Sequence, residues 1–155
     1  MEGIYVPSLY EPSYNEDGTL KSFEPIVEGI PKTIRKQVVM ELENTFYPEK
    51  PLVPYMKITQ DRVVLEIQRG CIRGCRFCQA GFIYRPVRER TPDKLVDIAV
   101  KSLEATGYDE VSLCSLSTSD YTRLNELTDK LMEYTIDRKI NFCLPSLRID
   151  NFNLP

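Results

Sequence analysis

Residues 62–81 read RVVLEIQRGCIRGCRFCQAG. Arg62 to Gly70 has the β-branched alternation of a strand, and it runs without a break into a loop that places Cys71, Cys75 and Cys78 within eight residues. The residues after that loop decide the fold class. Thr91-Pro92-Asp93 supplies an N-cap, a proline at the first helical position and a first-turn acid. A helix is predicted from there, with Val96, Ala99, Val100 and Leu103 on one face and its end near Gly107. EVSLCSL (110–116) is the next strand, and the polar turn Ser117-Thr118-Ser119-Asp120 is placed to cap a second helix bearing Leu124, Leu127, Leu131 and Tyr134. INFCL (140–144) is a third strand, ending in Pro145-Ser146-Leu147-Arg148. The order strand, helix, strand, helix, strand implies an α/β fold whose parallel strands are joined by right-handed crossovers.

In barrels built from such units, chemistry gathers at the C-terminal ends of the strands. Here those ends carry the cysteine loop, SLSTSD and PSLR, polar or metal-binding groups that a purely structural turn does not need. Three strands do not close a barrel. The expectation is therefore a partial (β/α) barrel of about three βα units over residues 61–155, a fragment with a sheet edge where the next strand belongs.

Upstream, residues 1–60 read as an N-terminal arm and a linking helix. The first 30 or so are rich in Pro, Tyr and Gly, with Asn15-Glu16-Asp17-Gly18 as a turn between extended runs such as IYV and TLKSF. After Pro31, TIRKQVVMELENTF spaces Ile34, Val38, Leu42 and Phe46 as a helix would, and Pro48 and Pro51 close it.

At 155 residues, 42% hydrophobic and 28% charged, the chain is long enough for one domain with an apolar core. No run approaches the roughly 18 apolar residues of a membrane span, and MEGIYVPSLYEPSY lacks the basic and apolar regions of a signal peptide, so a cytoplasmic protein with no membrane partner is expected. A net charge of -3 argues against a protein made chiefly to coat nucleic acid. One stretch runs against that average: from Arg69 to Arg90 there are six arginines and a single acid, Glu89. The cysteine loop sits in this positive field, which favours thiolates.

Five cysteines, three clustered and two apart, suit a disulfide framework poorly and a metal or thiolate site well. Zinc wants four ligands, usually in two separated pairs; this chain has no histidine, and Cys114 and Cys143 fall inside predicted strands, where a small apolar filler is the default. Three buried, unligated cysteines would need an apolar neighbourhood, which the surrounding arginines and glycines deny. An iron-sulfur cluster fits better, because a four-iron cluster held by three thiolates keeps one iron open for another ligand.

Cys71-x3-Cys75-x-Phe77-Cys78, with an aromatic before the last cysteine and directly after a first parallel strand, resembles the signature of the radical S-adenosylmethionine (SAM) superfamily. More narrowly, RGCIRGCRFCQAGFIYRPVRER, TGYDEVSLCSLSTSDY, PSLRIDNF, VPSLYEPSYNEDG and FYPEKPLVPY resemble a family of large radical SAM proteins that carry a cobalamin-binding domain and have no assigned substrate.

The resemblance implies that Cys71, Cys75 and Cys78 hold a [4Fe-4S] cluster whose open iron is chelated by SAM. Reductive cleavage of SAM then yields a 5'-deoxyadenosyl radical that abstracts hydrogen from a substrate. Phe77 is implied to lie against the adenine. Where the superfamily commonly has a glycine-rich stretch meeting the SAM amino group, this sequence has Ser115-Leu116-Ser117 instead; Ser115 and Ser117 either do that work or cap the next helix. Ser146 and Arg148 fit positions that meet the SAM carboxylate and ribose, Arg148 through a bidentate guanidinium or else as a surface partner of Asp150.

The implied outcome is methylation or a related modification of an unknown substrate, RNA or a small molecule, with a reductant such as flavodoxin or ferredoxin. Any cobalamin belongs to an upstream domain this sequence does not contain. The arginine-rich IYRPVRER either neutralises the cluster and SAM, contacts a phosphate-bearing substrate, or is a solvated loop. A second class stays open: a non-catalytic iron-sulfur or zinc module that binds RNA or a protein through this loop. A carrier cluster would call for a fourth cysteine at short spacing, which is not seen.

Overall fold

The computed structural model describes residues 2–151; residues 152–155, including the Phe152 that ends the PSLRIDNF stretch, lie outside the described residues. Two compact units divide the chain, Met1–Val39 and Met40–Pro155.

The first unit is built on the expected hairpin. Strands β1 (Tyr10–Tyr14) and β2 (Leu20–Pro25) pair antiparallel, Tyr10 opposite Pro25 and Pro12 opposite Phe23. The turn forms where Asn15-Glu16-Asp17-Gly18 places it: the Gly18 amide donates to the Asn15 carbonyl at 3.0 Å, and Asp17 accepts the Thr19 amide at 3.0 Å. Tyr10 and Phe23 stack at 5.4 Å between ring centroids, and the Tyr10 hydroxyl donates to the Pro31 carbonyl at 2.8 Å.

The second unit runs β3 (Val63–Glu66), β4 (Gln68–Arg69), α1 (Ala80–Ile83), β5 (Arg88–Glu89), α2 (Pro92–Thr106), β6 (Glu110–Cys114), α3 (Leu124–Thr135) and β7 (Asn141–Cys143). Strands β3, β6 and β7 form a parallel sheet in that order, with Leu65 opposite Leu113 and Val111 opposite Phe142. This is the α/β, parallel-strand architecture expected, as an open three-stranded sheet.

Alternation sorts the side chains by face. Val63, Leu65, Ile67, Val111 and Leu113 pack against Leu95, Ile98, Ala99 and Leu103 of α2 and Leu127 and Leu131 of α3, making one core. Val64, Glu66, Ser112 and Cys114 take the opposite face. Cys114, expected as a buried filler, is exposed there, and Cys143 is half-buried.

Helix α2 begins and ends where its local signals say. Thr91 accepts from the Lys94 amide at 3.3 Å, Pro92 opens the first turn, and Gly107 closes it at φ +73°, a left-handed value that glycine alone adopts freely. Its buried face is turned from the predicted one and centres on Leu95, Ile98, Ala99 and Ser102, leaving Val96 and Val100 half-buried.

Two further expectations fail. No helix forms over 32–46, where the division between the units cuts the apolar stripe in two. Of its four periodic residues only Leu42 is buried, and Phe46 is 90% exposed. A lone amphipathic helix of that length is marginal without a surface to cover its stripe. The Leu42 carbonyl instead accepts from the buried Arg90 guanidinium at 2.7 Å, so residues 42–47, read in sequence as part of the arm, belong to the sheet's own unit. The second failure is the cap at Ser117–Asp120. That turn is a short 3-10 helix, and α3 starts later, after Arg123, with no side-chain cap.

Candidate functional site

Beyond Ile67 the chain leaves the sheet through a narrow neck. Strands β4 and β5 pair antiparallel, Gln68 opposite Glu89 and Arg69 opposite Arg88, so that residues 70–87 form a closed loop on the C-terminal edge of β3. Gly70 makes the neck possible. It sits at φ +93°, and a Cβ there would lie 2.7 Å from the Tyr84 carbonyl oxygen and 2.8 Å from that of Pro86.

Inside the loop, Cys71 is buried while Cys75 and Cys78 are half-buried. The Cys78 amide donates to the Cys75 carbonyl at 3.0 Å. Two sulfurs receive backbone amides: Arg73 N–H to Cys71 Sγ and Gly81 N–H to Cys78 Sγ, each at 3.4 Å. The donor chemistry fits a thiolate-held cluster, for which hydrogen bonds to sulfur are part of the protein's tuning. Among the described residues, no three His, Cys, Asp or Glu side chains are grouped to hold a metal ion.

The arginines of this stretch are largely engaged, two of them with acids the local count left out. Arg69 grips Glu66 with two hydrogen bonds of 2.8 Å, and Arg73 grips Asp120. Arg85 donates to the Arg73 carbonyl at 3.2 Å and lies over the Phe82 ring, and Arg88 donates to the Pro86 carbonyl at 3.0 Å. Arg90 is buried under Tyr47, donating to the Leu42 carbonyl and to Thr45 Oγ1. The positive field expected around the cysteines is thus partly neutralised by Glu66 and Asp120.

The loop after β6 is tied to its neighbours on both sides. Ser117 is buried; its carbonyl accepts from Gln68 Nε2 at 2.7 Å, and its hydroxyl donates to Asp120 Oδ2 at 2.8 Å. The hydroxyls of Ser115 and Thr118 lie 3.0 Å apart. Ser146, at φ +58°, offers its carbonyl to the Thr118 amide at 3.1 Å, and Ser119 Oγ accepts the Arg148 amide at 3.1 Å. The Arg148 guanidinium pairs with Asp150 through bonds of 3.0 and 2.7 Å. All three strand ends singled out in the sequence therefore meet along one edge of the sheet. A cleft of about 290 Å³ opens at this edge beside Gly70 and Ser115, with Glu66, Gln68 and Cys114 in its lining.

The model of the radical SAM superfamily matches residues 65–152, more than half of the chain. The chain belongs to the radical SAM superfamily. It is also 37% identical over 90 residues to Uncharacterized protein MJ0966 of Methanocaldococcus jannaschii, an overlap of 58% of this chain and 19% of that protein, so the chain spans about a fifth of that relative's length. No solved structure matches it.

Membership in the radical SAM superfamily implies, in general, a four-iron cluster and SAM. Phe77, between the second and third thiols, presents its ring to solvent at 92% exposure. Two residues escaped the sequence reading. Asp120 has a signal, as an acid in a polar turn, but that turn reads locally only as a helix cap. Gln68 carried none beyond being a polar residue near a strand end. It is buried, and its Oε1 has no hydrogen-bond partner among the described residues. No helix among the described residues is long and apolar enough to cross a membrane.

Proposed function

We propose that this chain is the cluster- and SAM-binding part of a radical SAM enzyme, with Cys71, Cys75 and Cys78 as thiolate ligands of a [4Fe-4S] cluster. The observation that carries the reading is the cysteine loop itself: three thiols on the C-terminal edge of a parallel strand, two of them already receiving backbone amides. Such a cluster supplies one-electron reduction of the SAM sulfonium, the route to hydrogen abstraction from an unreactive carbon.

The chain's own residues divide into those open to a ligand and those that support them. Phe77 is exposed and free to lie against an adenine. Ser115, beside the cleft, offers its hydroxyl to an ammonium, and Ser146, in the turn after β7, offers its hydroxyl to a carboxylate or ribose. Arg148 can grip a carboxylate bidentately by exchanging Asp150, which is half-exposed, for the ligand. The buried Ser117 hydroxyl already serves Asp120, so its part is support. Methyl transfer or a related modification is the outcome the sequence resemblance favours, on RNA or a small molecule, with an electron from a flavodoxin- or ferredoxin-type donor. Neither the family match nor the geometry supports a cobalamin site.

The test is anaerobic reconstitution with iron and sulfide, dithionite reduction, and electron paramagnetic resonance with and without SAM. A four-iron signal that changes shape on adding SAM is expected. Bound zinc with no cluster, or a cluster signal indifferent to SAM in both this chain and a longer one, overturns the reading.

A further inference from the structure

Asp120 carries four hydrogen bonds on one carboxylate, and they come from three separate segments. Arg73 Nε and Nη2 reach it from the cysteine loop at 2.9 and 2.5 Å, Ser117 Oγ from the loop after β6 at 2.8 Å, and Asn151 Nδ2 from the segment after β7 at 2.7 Å. Its side chain is 3% exposed. Burying a carboxylate is costly unless it is paired and its lone pairs are filled, and four donors fill them.

Arg73 is the other half of the device, and it stands between the first two thiols. Besides its guanidinium, its amide is committed to Cys71 Sγ and its carbonyl to Arg85. The backbone between Cys71 and Cys75 is therefore held at three points on one residue, and the side-chain point is anchored 47 positions away in the chain. Asn151 ties the same carboxylate to the segment that contains Arg148, and Asp150 stands 4.0 Å from Arg73 while pairing with Arg148.

We propose that Asp120 is a positioning residue: acting through Arg73, it orders the Cys71–Cys75 backbone that carries the cluster ligands and locks that loop to the two neighbouring strand ends. This rests on the cluster reading above. It explains why a bidentate, buried pair is placed here, since ligands held by a rigid support bind a cluster without first losing loop entropy. Among the described residues, Asp120 is hydrogen-bonded to Arg73, Ser117 and Asn151 and to none of the thiols.

The experiment compares the full chain with Asp120→Asn, Asp120→Glu, Arg73→Lys and Glu110→Gln. The last variant breaks the remote Arg62–Glu110 pair. Each is reconstituted anaerobically at limiting iron and sulfide, and cluster per chain, the g-values of the reduced cluster and the unfolding midpoint are measured. Asp120→Asn is expected to lower cluster occupancy at least fivefold and shift the g-values, Asp120→Glu to recover part of the occupancy, and Glu110→Gln to load like wild type even where its midpoint falls. If Asp120→Asn does not fold, Arg73→Lys decides, because it keeps the charge and removes the two-point grip; a folded Arg73→Lys chain is expected to lose occupancy likewise. Folded variants that load as wild type, or a loss that merely follows the unfolding midpoint across all four, overturn the inference while the cluster reading stands. A wild-type chain that takes up no cluster overturns the cluster reading, and the inference falls with it.

Discussion

The parallel sheet carries an arginine–carboxylate pair at each end, and the two differ in kind. At the N-terminal edge Arg62 meets Glu110, joining the starts of β3 and β6. Both side chains are about a quarter exposed, and the Arg62 Nε is buried without a hydrogen-bond partner among the described residues. At the C-terminal edge Arg73 meets Asp120 through two hydrogen bonds, and the carboxylate is almost wholly buried and fully engaged. The first pair fastens neighbouring strands. The second fastens the cysteine loop to the loop after β6, to which no strand ladder joins it, at the edge where α/β folds of this type place their chemistry. A loop whose backbone bonds are few must be ordered by side chains, and that is where a buried ion pair is worth its desolvation.

The largest expected effect tests whether the C-terminal edge is a cluster site at all. Replacing Cys78 by Ala should cut iron and sulfide uptake on reconstitution at least tenfold. Far-UV circular dichroism should stay unchanged, since Cys78 lies outside the apolar core. Normal uptake would remove the functional meaning of the comparison.

Next is the neck. Gly70→Ala combines a left-handed φ with a Cβ forced against two backbone oxygens, and should lower stability by roughly 3 kcal/mol in urea denaturation. A change within error would show that the loop's legs can part freely, leaving the Arg73 pair to do less than described.

Acid titration separates the two pairs. Hydrogen bonding from Arg73, then from Ser117 and Asn151, pulls the Asp120 carboxyl down from its ordinary 3.8 to about 2. A depressed carboxyl stabilises the fold above its unfolded value and loses that contribution as pH falls through its folded one. About 2 kcal/mol should therefore separate wild type from Asp120→Asn above pH 4 and shrink toward pH 2. Urea midpoints at four pH values would read this, and a gap constant from pH 5 to 2 would mean that the charge is not what holds the loop.

The smallest effect belongs to the N-terminal pair. Glu110→Gln should cost less than about 1 kcal/mol, as partly exposed ion pairs do. A larger loss would erase the contrast between the two ends.

Much of the fold was readable locally. The hairpin turn, the cap, proline and glycine that bound α2, the alternating strands and the cysteine loop are set by residues within a few positions of one another, where backbone preference and hydrogen bonding act directly. What misled the reading were signals whose meaning depends on distant partners. Ile34, Val38, Leu42 and Phe46 have helical spacing but are divided between two units, and Arg90 draws Leu42 into another arrangement. Ser117–Asp120 looks like a helix cap until Arg73 takes its acid.

By itself, then, the sequence determined the strand, helix, strand, helix, strand order after residue 61, the limits of α2 and the three candidate ligands, because periodicity, turn chemistry and thiol spacing are local properties. Tertiary structure decided that Arg73 meets Asp120 and Arg62 meets Glu110, that residues 42–47 join the sheet's unit, and that Asp120 supports the cysteine loop. These are pairings across more than 40 positions of chain, chosen by burial and by the need to satisfy each buried charge, and no local pattern encodes them.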